Sequence, residues 1–260
     1  MSDFQEWVDK HDPIEESQLP LTHIARSLRA VEILEKKRIS PRECKHFREA
    51  LAYFFYGRPA YRVTSDATIQ IEASCPCCFL FKSDILARAK NIHAFDTGAF
   101  FNRLYSHVLD EDFKVEHFSL GDDPERIARL ISASFESQGA YFDADRSRLR
   151  NADDAAEAWE LSGRAYLTLL ASPGRNEPDD RICSIEVTFG DPVLLDQNLL
   201  AVVVPHTFWD GDKKAPFLSA LPEEVTIIPY RFIPGRHPEY YQAQIEGQVR
   251  AFYEELGLSI

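Results

Sequence analysis

The sequence predicts an α+β domain, and three observations carry that reading. The N-terminal third sets apolar residues at helical spacing. The C-terminal half instead alternates branched and aromatic runs with Pro-Gly and Gly-Asp loops. No low-complexity segment or linker divides the 260 residues, so one domain over 21–260 follows a polar, acidic lead-in at 1–20.

Taken in order, 24–37 carries Ile24, Leu28, Val31 and Leu34 and reads as an amphipathic helix. Ser40 and Pro41 suit the cap and first turn of a second helix, with Phe47, Leu51 and Phe54 on one side and its end before Gly57-Arg58-Pro59. Thr68 to Glu72 alternates like a short strand. Helices are expected over Ser83 to Lys90, Gly98 to Leu109, and from Asp122-Asp123-Pro124 to about Gln138. Tyr166 to Leu170, Ile182 to Phe189, Leu199 to Val204 and Val225 to Tyr230 read as strands, and Pro238 to Leu256 as a closing helix.

Composition narrows the function. The formal net charge of −13 works against non-specific nucleic-acid binding. Lys36, Lys37, Arg38, Arg42, Lys45 and Arg48 form a local basic run that reads as a solvated helical face. No run reaches the ~18 apolar residues of a membrane span. The N-terminus lacks the basic and apolar regions of a signal peptide, so a cytoplasmic protein without membrane partners is expected. Five cysteines, an odd number, argue against a disulfide framework in that compartment. Cys75 and Cys78 have C-x-x-C spacing, and Cys44 with His46 would complete a zinc site. No second C-x-x-C exists, so buried structural cysteines are expected and no metal. Asp96-Thr97-Gly98 precedes a helical run, which makes it a helix cap.

Three segments carry candidate chemistry. Thr22-His23 leads into the first amphipathic run, and His offers a donor and an acceptor in fixed geometry for a ribose or amide. Tyr53-Phe54-Phe55-Tyr56-Gly57-Arg58-Pro59-Ala60-Tyr61-Arg62 sets aromatic rings beside guanidinium groups. Tyr56 or Tyr61 would lie against a planar ring, and Arg58 or Arg62 would hold phosphates. Glu186 lies in a partly alternating strand with Ser184 and Thr188 on its face. A carboxylate there suits a step in which positive charge develops on a sugar.

In this order, Leu-Thr-His-Ile, an aromatic run ending in Arg-Pro, and a late Ile-Glu-Val strand resemble the ADP-ribosyltransferases, most closely the DarT-like toxin branch. The resemblance implies a split-sheet fold of that superfamily with NAD as substrate. His23 would contact NAD, Arg58 would serve NAD binding and catalysis, and Glu186 would be the catalytic acid. Where the family carries Pro-Arg-Ser-Pro this chain has Gly57-Arg58-Pro59, which leaves Arg62 as the alternative to Arg58. The implied reaction moves ADP-ribose to a nucleic acid or protein, in a toxin or antiphage setting with an antitoxin or regulatory partner. An NAD hydrolase and a non-catalytic nucleotide-binding or interaction module stand as alternatives.

Overall fold

The computed structural model describes residues 2–60, 67–172, 181–210 and 213–260. In chain order the helices are α1 (Asp3–Asp9), α2 (Ser27–Lys36), α3 (Thr97–Phe101), α4 (Glu125–Ser134), α5 (Gln138–Phe142), α6 (Ala152–Ala155), α7 (Leu161–Ala171), α8 (Pro216–Ser219) and α9 (Pro238–Glu255). The strands are β1 (Leu21–Arg26), β2 (Arg38–Ile39), β3 (Arg42–Cys44), β4 (Glu49–Tyr56), β5 (Pro76–Phe81), β6 (Asn91–His93), β7 (Ser119–Gly121), β8 (Glu186–Phe189), β9 (Val193–Leu194), β10 (Leu199–Pro205), β11 (Trp209–Asp210), β12 (Lys213–Lys214) and β13 (Thr226–Tyr230). Helix and strand are both substantial, at 40% and 23%, so the mixed class holds. The chain forms two compact units, each discontinuous in sequence.

The first unit comprises Met1–Gln18, Leu86–Thr188 and Gly257–Ile260. It corrects the expectation of a loose lead-in. Ser2 and Gln5 close a capping box, and Phe4, Trp7 and Val8 sit at i, i+3 and i+4, so α1 buries one apolar stripe. Phe4, Phe95, Phe118 and Tyr166 meet in an aromatic cluster with centroids 5.0–6.5 Å apart. Tyr166 reaches it from α7, a helix where 166–170 was expected to be a strand. Five residues are too few to separate a period of 3.6 from one of 2. Over eleven residues, burial of Ser162, Gly163, Tyr166, Leu167, Leu169 and Leu170 defines the helical face. A short antiparallel ribbon runs β7-β6-β8, with His93 opposite Glu186.

The second unit comprises Leu19–Ile85 and Phe189–Leu256. Its sheet runs β13-β10-β5-β1-β4, with β3 paired to β4. β10 and β13 are parallel, and the remaining pairs are antiparallel. The expected division into N-terminal helices and a β-rich C-terminal half therefore does not hold, since both ends of the chain supply strands. The helix expected from Pro41 is a hairpin instead. Arg48, at φ 55°, turns β3 into β4. The aromatics of β4 favour a pleated surface over a helix, where they would lose side-chain freedom. The helix expected at 24–37 begins at Ser27, because 21–26 is β1, paired with β5 along its whole length. At 68–72 the expected strand is an isolated bridge from Ile69 to Arg236, and Glu72 begins a 3-10 turn. α9 is the closing helix expected. Its buried Tyr241, Ile245, Val249 and Phe252 pack on β13, β10 and β5.

Among the described residues no helix is long and apolar enough to cross a membrane.

Candidate functional site

A cleft of ≈ 620 Å³ opens in the second unit between α2, the β2–β3 connection and the β3–β4 hairpin. Ligand pockets commonly hold about 300–1,000 Å³. The pleat sorts the lining only in part, since Glu43 and Ala52 on the opposite faces also line it. Arg42 and Cys44 alternate onto one face of β3, and Leu51 and Tyr53 onto one face of β4. Arg42 stands directly opposite Leu51. α2 contributes Arg29 and Ile33, and β1 contributes His23.

His23 is the sequence-derived candidate that lies in this cleft. Its Nδ1 is 2.8 Å from the Tyr53 carbonyl oxygen, and its ring packs on Phe54 at 5.3 Å. A carbonyl only accepts, so Nδ1 carries the proton and Nε2 is left as an acceptor. Burial pulls the imidazole pKa down to about 4. The Tyr53 bond opposes that shift, while Arg29 and Arg42 add to it. At neutral pH His23 is therefore an uncharged ring in a fixed tautomer.

Cys44 shares the cleft and differs from the buried thiols. Burial acts to raise its pKa, but hydrogen bonds from the Phe47 amide, the Tyr53 hydroxyl and the His46 amide prevail and lower it. Burial drives Cys75 up to about 11 and Cys77 to about 12, and raises Cys78 further. Cys75, Cys77 and Cys78 are free thiols buried in and beside β5, the structural role expected of them. Among the described residues no group of three or more His, Cys, Asp or Glu is placed to hold a metal.

Within the aromatic-arginine stretch, Tyr56, Gly57 and Arg58 are held by contacts away from the cleft. Gly57 adopts φ +64° and donates its N–H to the Pro20 carbonyl, while the Tyr253 hydroxyl donates to the Gly57 carbonyl. The Tyr56 ring is 2% exposed, and its hydroxyl accepts from the Leu19 N–H. The Arg58 guanidinium lies 3.5 Å from Glu246 of α9, which also accepts from Gln242 at 2.8 Å. Thr22 is wholly buried and donates to the carbonyls of Phe55 and Arg58. Thr22, Tyr56 and Arg58 are thus joined at the seam between β1, β4 and α9, and none of them is among the residues lining the His23 cleft. Tyr61 and Arg62 lie outside the described residues.

Glu186 belongs to the first unit and is 2% exposed. Its carboxylate accepts from the Thr97 hydroxyl at 2.7 Å and from the Thr97 amide at 3.2 Å. The neighbouring Asp96 caps α3 through the Ala99 amide and pairs with Arg181 at 3.0 Å. Asp96-Thr97-Gly98 is therefore a helix cap, as expected, and it also supplies the donors that hold Glu186.

Compared with protein-family models, curated proteins and solved structures, the chain matches none.

The cations of the cleft escaped the sequence reading. Arg42 and Lys45 sit in a run that looks like a solvated helical face, and only the hairpin reveals their shared side. The usable signal was the aromatic run from Tyr53, which marks a strand and makes Leu51 and Tyr53 neighbours across the pleat.

Proposed function

We propose that this chain is an NAD-dependent ADP-ribosyltransferase and that NAD enters the cleft at His23. The observation that carries the proposal is the neutral, tautomerically fixed imidazole in a cationic cleft of nucleotide size. Nε2 accepts from a ribose hydroxyl or amide of the substrate. Ile33, Ile39, Leu51 and Tyr53 offer apolar and aromatic surface to a flat ring. In the reaction the bond between nicotinamide and ribose C1 breaks and nicotinamide leaves. The acceptor's nucleophile bonds to C1 and gives up its proton. The resemblance in motif order assigns the acid of this step to Glu186, which belongs to the first unit and is not among the residues lining the cleft. The acceptor is a macromolecule, nucleic acid or protein.

The test is incubation with labelled NAD and a panel of DNA, RNA and protein, scoring nicotinamide release and label transfer separately. Transfer that is lost in Glu186→Gln, while the melting curve shows the variant still folded at the assay temperature, supports the proposal. Release without transfer identifies an NAD hydrolase, and an inactive protein that still binds NAD identifies a binding module.

The binding module is favoured by one specific observation. Glu186 is buried and doubly bonded to Thr97, the situation of a structural carboxylate. Binding alone separates His23 from Glu186: a binding module needs only His23, whereas the transferase needs both.

A further inference from the structure

We infer that the cleft reads the phosphate groups of its nucleotide with Arg29 and Arg42, and that Arg58 has no part in this contact. The inference rests on the reading of the cleft as a nucleotide site and assigns its anion contacts.

The charge balance of the walls comes first. The lining contains Arg29, Arg42 and Lys45 against the single carboxylate of Glu43. The chain as a whole carries −13, so this local positive excess runs against the average surface. Lining walls of one sign concentrate an anion in a cleft by focusing the field.

Geometry comes second. Arg29 projects from α2 and Arg42 from β3, so two guanidinium groups reach one cleft from separate elements. Arg29 gives one nitrogen to Glu32 and is 27% exposed, which leaves most of its five donors for another oxyanion. Arg42 is exposed and has no carboxylate partner among the described residues. Arg58, by contrast, is 12% exposed and set against Glu246. Both cleft arginines also depress the His23 pKa, as nearby positive charge must. A phosphate oxyanion between two guanidinium forks is the ligand that suits this pair, since each fork matches its oxygens bidentately. Ile33, one turn from Arg29 on α2, and Leu51, opposite Arg42, set apolar surface for a flat ring beside the arginines.

The experiment titrates ADP, adenosine and NAD into the full chain by calorimetry, in the wild type and in Arg29→Gln, Arg42→Gln and Arg58→Gln. Each variant's melting curve is recorded first. Arg42 is exposed on a short hairpin strand, so that variant folds normally. The expected result is that ADP binds at least about tenfold tighter than adenosine. Arg29→Gln and Arg42→Gln each reduce ADP affinity by about tenfold, the loss of one charge-assisted contact. Adenosine affinity is unchanged by either. Arg58→Gln leaves ADP affinity within about twofold; should it melt early, Arg58→Lys replaces it, with the same expectation. The inference is overturned if ADP binds no tighter than adenosine, or if an Arg58 variant loses ADP while the cleft variants keep it. ADP binding that depends on Arg29 and Arg42, without NAD binding or turnover, supports the phosphate site and removes the transferase reading. Failure of ADP, adenosine and NAD alike to bind overturns both.

Discussion

Replacing Glu186 by alanine removes more than a candidate catalytic group. The carboxylate is 2% exposed and satisfies two donors of Thr97, the hydroxyl at 2.7 Å and the amide at 3.2 Å. A buried donor left without an acceptor costs about 1–3 kcal/mol. The amide is fixed by the start of α3, whereas the hydroxyl can rotate. The two donors together therefore place the loss for Glu186→Ala at about 2–4 kcal/mol, a large fraction of the roughly 5–15 kcal/mol that holds a typical domain. Glu186→Gln keeps the shape and one good acceptor, and the Thr97 hydroxyl can turn to accept from the new amide. Its cost is about 1 kcal/mol. Urea denaturation of both variants, with Thr97→Val and the double variant Glu186→Gln/Thr97→Val, measures these terms. A coupling energy of about 1–2 kcal/mol between positions 97 and 186 is expected, since contacting polar groups are not additive. An alanine variant within about 0.5 kcal/mol of wild type, or a coupling near zero, would refute the anchoring role. The practical consequence concerns catalysis: lost turnover in Glu186→Ala is uninterpretable without the stability measurement, and glutamine is the informative substitution.

Two further outcomes follow from the same geometry. His23 and His93 are both held near pKa 4 by burial, whereas an unfolded histidine titrates near 6.5. The unfolded chain therefore takes up protons first, and stability falls as pH drops from about 6.5 towards 4, by up to about 1.4 kcal/mol per pH unit for each histidine. Urea midpoints at pH 7, 6 and 5 should show that slope in wild type and a shallower one in His93→Gln; identical slopes count against buried neutral histidines. Gly57→Ala places a Cβ 2.4 Å from Leu19 Cδ1 at a φ of +64°. Left-handed strain and overpacking together cost about 2–4 kcal/mol, so a variant that unfolds at the wild-type urea midpoint would contradict the anchored turn.

How far the sequence could be read depended on the length and regularity of each element. α9 was legible because a long run carried a helical period between clear stops, and β10 because an unbroken, branched apolar run marks a buried strand. The hairpin of β3 and β4 was not, because Phe47, Leu51 and Phe54 satisfy helical spacing by chance while the turn rests on Arg48, a residue with no turn signature. α7 failed for the converse reason, a helix sampled through too short a window. α1 was hidden by its acidic surroundings, although Ser2, Gln5 and the Phe4-Trp7-Val8 stripe spell out a capped amphipathic turn. Among the candidate site residues, His23 reads in the sequence as the lead-in to a helix, whereas it lies within β1. Arg58 and Tyr56 had the right chemistry, but Glu246 and Leu19, far off in sequence or on another element, decide their surroundings. Arg29 and Arg42 could not be singled out, because only the pairing of Arg42 with Leu51 turns that strand toward the cleft.

Titrating NAD into wild-type and His23→Ala protein across pH tests whether a neutral His23 builds a nucleotide site. Saturable binding is expected in the wild type, constant from pH 8 to about 5.5 because His23 is already uncharged there, and falling as the ring protonates towards pH 4. His23→Ala, folded by its melting curve, should bind at least about tenfold more weakly, the equivalent of one lost hydrogen bond. Absence of binding, equal binding by the alanine protein, or affinity that rises as pH falls through 6.5 would contradict a site built on neutral His23.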